Sequence, residues 1–128
     1  MLKLLLVGLA GLAGTVARYW LTEAAARRYG ESFPYGTLAV NAAGCFLIGL
    51  LFCLFETRLA AREATRAVLL AGFLGGFTTF SSYGLQVFAL LRDGEVVRAA
   101  LYVGLSNALG LLLVWCGFEA GRGLGGLS

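Results

Sequence analysis

Thr79, Ser82 and Gln86 stand at i, i+3 and i+7, so a helix resuming after Thr78 places all three on one face, and it places Phe80 and Tyr83, at i and i+3, on a neighbouring face. Thr37 and Asn41 lie one turn apart, and Ser106 and Asn107 add a hydroxyl and an amide further along. Every member of this set is a neutral hydrogen-bonding group. The chain has no His, and its acids lie away from these positions. A cation pathway or proton relay usually places carboxylates at membrane depth, whereas hydroxyl and amide donors beside the positive edges of aromatic rings suit a small anion. Without clustered acids or a nucleophile–base pair, an enzyme reading has the least support.

The elements that carry these residues are apolar runs. Of the 128 residues, 59% are hydrophobic and 13% charged, about half the charge of an ordinary soluble domain, and the mean hydropathy is +0.84. A soluble core of this size cannot hide that much apolar surface. A membrane span needs roughly 20 mostly apolar residues. Four runs qualify, at about Leu2–Trp20, Gly36–Phe55, Ala67–Leu91 and Ala99–Phe118. The links between them hold almost every charge, and Pro34 precedes the second run, where it can open a helix. The expectation is an all-α integral membrane protein, residues 1–128 forming a single four-helix transmembrane domain. Met1-Leu2-Lys3 and the following apolar run share the outline of a secretory signal peptide, but Arg18-Tyr19 reads better as an interfacial helix end than as a cleavage region. Cys45, Cys53 and Cys116 fall within spans with no C-x-x-C spacing and read as small packing residues.

Residues 72–84, Gly-Phe-Leu-Gly-Gly-Phe-Thr-Thr-Phe-Ser-Ser-Tyr-Gly, lie near the middle of the third run. Glycines followed by two β-branched threonines make poor continuous helix. A break at that depth survives only where its freed backbone groups find protein, water or an ion. The third helix is therefore expected to be broken near the midplane. Glycine spacing elsewhere (Gly8, Gly11 and Gly14; Gly72 and Gly76; Gly117 and Gly121) predicts close helix packing.

With four spans, Lys3, Arg58, Arg62, Arg66 and Arg122 fall on one side, and Arg18, Arg27, Arg28, Arg92 and Arg98 on the other. An equal division gives the positive-inside rule no preference: either position or folding decides the orientation, or both orientations are inserted and the chain assembles as an antiparallel dual-topology homodimer. The net charge of +3 forms neither a block nor an aromatic-interleaved stripe, so no nucleic-acid partner is expected. Arg18 either raises anion concentration at a vestibule or snorkels to the interface.

The stretches G-L-A-G-T-V-A-R-Y (11–19), G-T-L-A-V-N-A-A-G-C-F (36–46), G-F-L-G-G-F-T-T-F-S-S-Y (72–83) and S-N-A-L-G (106–110) resemble the Fluc, or CrcB, fluoride channels of bacteria and other microbes over nearly the full chain. The resemblance implies an antiparallel dual-topology homodimer with two pores lined by both subunits. It also implies a structural sodium ion (Na+) at the dimer centre, held by main-chain carbonyls that here would be those of Gly75 and Thr78. Asn41 would be the pore amide, Phe80 the first aromatic facing fluoride, and Thr79, Ser82 and Ser106 parts of a polar track. Tyr83 stands where such channels usually have Phe, Gly110 where Ser is common, and Gln86 where Glu is frequent. The implied function is passive, fluoride-selective export across the bacterial inner (plasma) membrane, which limits fluoride toxicity. Among rivals, a small multidrug exporter would need a carboxylate in the first span, which has none. An accessory membrane subunit would explain the glycines but not the polar stripes.

Overall fold

Leu and Ala, strong helix formers, dominate residues 2–29 and fold as one helix, α1 (Leu2–Tyr29), in a computed structural model that describes residues 1–57 and 63–125. The expected span ended at Trp20. The helix instead continues through the Ala24-Ala25-Ala26 run and stops at Gly30, whose φ of 78° is a left-handed value and whose N–H donates to Ala26 O at 2.8 Å. Pro34 acts as expected: its carbonyl accepts from Leu38 N at 3.1 Å at the head of α2 (Tyr35–Thr57). The last helix, α6 (Val96–Gly125), overruns its expected apolar run at both ends and follows a second left-handed glycine, Gly94.

The third span is a chain of pieces: α3 (Glu63–Arg66), a π-helical stretch (Ala67–Leu74), α4 (Gly75–Phe77), two extended residues, and α5 (Phe80–Arg92). The expected break is present, but the threonines form it. Gly72, Gly75 and Gly76 remain helical, while Thr78 (φ −84°, ψ 158°) and Thr79 (φ −149°, ψ 118°) are extended, a conformation β-branched residues accept readily. Two of those glycines serve packing. A side chain at Gly72 would meet Val7 O at 2.8 Å and Ala10 Cβ at 2.9 Å, and one at Gly76 would run into the carbonyl of Gly11.

Among the described residues, four helical stretches are long and apolar enough to cross a membrane, with Glu63–Arg92 as the third. The protein is therefore multi-pass and all-α, with a bent third span. An ion pair between Lys3 and Glu63 holds the start of α1 and the start of the third span at one end. Residues of the first and third connections meet at the other. Arg58 and Arg62, which enter the even charge division, lie outside the described residues.

Two seams hold the bundle. Gly14 of α1 sits against Phe73 O, with Phe77 N at 2.9 Å from where its Cβ would be, while Gly8 faces open space. Along the more extensive seam, α2 meets α6, with Gly49 against Val114 O and Gly117 against Phe46 O. The buried core is small, built on Val40, Leu74 and Phe77 with Phe73 stacked on Phe77 at 5.8 Å. Large apolar side chains such as Leu4, Leu111 and Trp115 point outward, as suits a protein whose solvent is hydrocarbon.

Candidate functional site

The break frees backbone groups that cannot turn to water, and most of their partners can be named. Thr78 closes the first half: its N–H and its Oγ1 both donate to Leu74 O at 2.9 Å. Thr79 opens the second half as the N-cap of α5, its Oγ1 accepting from Ser82 N at 3.2 Å and donating to Ser82 Oγ at 3.1 Å. The peptide groups of Thr79 itself pair with Asn41. Thr79 N donates to Asn41 Oδ1 at 2.8 Å, and Asn41 Nδ2 donates to Thr79 O at 3.0 Å. The Asn41 side chain thus completes one rung of a β-ladder inside a helical bundle. Gly44, one turn below it on α2, leaves room for the Thr78 methyl. Gly76 O accepts from Arg18 Nε at 3.1 Å and from Thr15 Oγ1 at 3.5 Å. No side chain among the described residues donates to the carbonyl oxygens of Gly75 or Thr78.

These pieces wall an open cavity of about 380 Å³. Asn41, Gly75, Thr78, Thr79, Phe80 and Tyr83 line it, as do Ser106 and Asn107 from α6, and none of its lining side chains is ionised. The Phe80 and Tyr83 rings pair as their spacing predicts, with centroids 5.4 Å apart and planes tilted by 39°. Phe80 is 83% exposed in the single chain, so its ring faces outward from it. Asn107 Nδ2 donates to Val103 O at 2.8 Å and reaches Tyr83 OH at 3.4 Å. Ser106 Oγ is the one buried side-chain polar atom among the described residues with no hydrogen-bond partner.

Thr37 and Gln86 are not in this cavity. They line a second one of about 550 Å³ at the far end, whose rim carries Glu23, Glu31, Asp93, Glu95 and Arg98. Gln86 Nε2 donates to Thr37 Oγ1 at 2.9 Å, and its Oε1 accepts from Tyr102 OH at 2.9 Å. Thr37 and Asn41 share a helix face, yet each bonds to a different part of the third span. Ser82 lines neither cavity and is spent on capping.

Tyr102 is the residue that pattern reading missed. It is fully buried (0% exposed), and its ring lies 5.2 Å from that of Tyr83, so Gln86, Tyr102, Tyr83 and Asn107 form a continuous polar and aromatic connection between the two cavities. The available signal was a lone phenol within an apolar run, since a buried tyrosine hydroxyl nearly always has a partner.

The family model for the CrcB-like protein, Camphor Resistance (CrcB), matches residues 5–118. The chain is 42% identical over 124 residues to the fluoride-specific ion channel FluC of Rhizobium etli (strain CIAT 652), covering 97% of this chain and 99% of the relative. It is 43% identical over 116 residues to the protein of that name in Nitrosococcus oceani (91% and 93% covered), and 40% over 118 residues to that of Aquifex aeolicus (92% and 95%). With its four apolar helices, its broken third span and agreement along almost its whole length, the chain belongs to the CrcB-like family, whose matched members are ion channels and not enzymes.

Proposed function

We propose that this chain forms a fluoride-selective channel that lets the ion leave the cytoplasm passively, across the inner membrane of a bacterium, and so limits fluoride toxicity. The observation that carries the reading is the cavity at the break. Neutral donors and the Phe80 and Tyr83 rings share its wall with Ile48, Leu70 and Leu74, and the buried Ser106 hydroxyl beside it has no protein partner. A small, strongly hydrated anion gives up its water only where oriented donors replace it, and conduction needs several weak sites in place of one strong site. Asn41 and Ser106 with the rings of Phe80 and Tyr83 supply one such site, with Thr79, whose own donors are spent on Asn41 and Ser82, holding the asparagine in place; Thr37 and Gln86 supply a second. A negative-inside potential drives each charge outward by about 2.3 kcal/mol per 100 mV. In purified, reconstituted form the chain should empty fluoride from liposomes while retaining chloride. Liposomes that retain both ions, or release both equally, would sink the proposal.

The channel is an antiparallel, dual-topology homodimer in this reading. The even division of Lys and Arg supports it. A structural sodium ion is assigned to the Gly75 and Thr78 carbonyls. They fit it: hard cations take oxygen ligands, both residues line the cavity, and no described side chain occupies their oxygens, whereas Gly76 O is already taken by Arg18. The ion would supply a fixed positive charge at the centre of the dimer, and Gly75 and Thr78 would present their oxygens to it.

A further inference from the structure

We infer that Arg18 is a positioning residue, which serves the anion path by bracing the Gly76 carbonyl and not by lending its charge to an aqueous mouth. The inference rests on the channel reading above. Arg18 is part-buried and lines neither cavity; its Nε–H donates to Gly76 O at 3.1 Å, two residues before the break. Thr15, one turn back on the same helix, reaches the same oxygen at 3.5 Å.

The contact is built by the glycines of α1. Gly11 and Gly14 share a face with Thr15 and Arg18, and they allow α1 to lie directly on the backbone of the third span at Gly76, Phe73 and Phe77. The glycine stripe and the arginine are therefore parts of one device. The bond has two physical effects. It gives a partner to a carbonyl in the last turn of a helical segment, which has none within the helix, and so favours ending the helix at Phe77. It also holds Gly76 O toward α1, so that this acceptor is not turned toward a cavity meant for an anion.

Glutamine separates the two roles, because its Nε2 stands as many bonds from Cα as arginine Nε and donates without charge. The test is fluoride efflux from liposomes by the full chain with Arg18→Gln and with Arg18→Met, at low and high ionic strength. Amide exchange over residues 75–82 is followed alongside. Bracing predicts that Arg18→Gln stays within about twofold of the parent while Arg18→Met falls about tenfold or more, as misplaced site geometry does. Neither effect should change with salt. Exchange should quicken in the Met variant alone. The inference is overturned if Arg18→Gln falls as far as Arg18→Met and the deficit shrinks in salt, the behaviour of a screened mouth charge. Should the Met variant not fold, the Gln variant and its salt dependence still decide. Should the parent not conduct, the channel reading fails, while amide exchange still tells whether a neutral donor at position 18 holds the break.

Discussion

The α2–α6 seam and the break in the third span are both places where backbones come unusually close, and they are built by opposite means. Along the seam, Gly49 and Gly117 remove side chains so that carbonyls and Cα atoms touch directly, and the contact is dispersion over a smooth surface. At the break the backbone is opened, and most freed groups are met by a specific partner: Leu74 O, Asn41, Thr79 Oγ1, Arg18. The seam tolerates no added volume but asks nothing of chemistry. The break asks for particular donors and acceptors and leaves a few unspent, and those few are what an ion can use. Stability and function are thus largely assigned to different glycine and polar positions.

That division can be broken most directly at Asn41. Asn41→Asp places a carboxylate oxygen against Thr79 O, loses the donor, and leaves a charge in a low-dielectric site, a change that costs about 3–5 kcal/mol; fluoride efflux should vanish and thermal stability should fall together. Gly117→Val is next and purely steric. Its side chain meets the Phe46 carbonyl, overpacking of about 1–3 kcal/mol that lowers the Tm, and any folded fraction should keep its preference for fluoride over chloride. Loss of that preference in the folded fraction would show that the seam and the site are not separable. Ser106→Ala removes a hydroxyl that bonds to nothing in the protein, so stability should hold within about 0.5 kcal/mol while efflux slows. A drop in Tm instead would mean the hydroxyl serves the fold. Smallest is Tyr83→Phe, which gives up one long 3.4 Å contact with Asn107 and should change stability by less than about 1 kcal/mol, with efflux kept.

What could be read in advance followed periodicity. Four apolar runs, a break within residues 72–84 and the Phe80–Tyr83 pair all depend on spacing along one helix or on residue types that a continuous helix disfavours. What could not be read depends on how closely two helices approach. Nothing local to Arg18 tells that it lies within reach of Gly76, because that distance is set by Gly11 and Gly14 meeting the third span. Nor does anything local to Thr37 and Asn41 place them in different cavities. The glycines of the third span looked like the break itself. They prove to be helical, and two of them, Gly72 and Gly76, pack directly against α1. The π-helical stretch, which includes Gly72, has no signature in an apolar run such as Ala-Val-Leu-Leu-Ala.

The Asn41–Thr79 pairing has one more consequence, for the sign of the ion. A primary amide is ambivalent, since a free asparagine can offer oxygen to a cation or nitrogen to an anion by turning over. Here it cannot turn: reversal would set NH₂ against the Thr79 N–H and oxygen against the Thr79 carbonyl, losing both bonds at once. The oxygen stays committed to the backbone, while the nitrogen of this cavity-lining residue keeps a second proton beyond the one given to Thr79 O. A side chain that elsewhere reads either charge is thereby made one-handed.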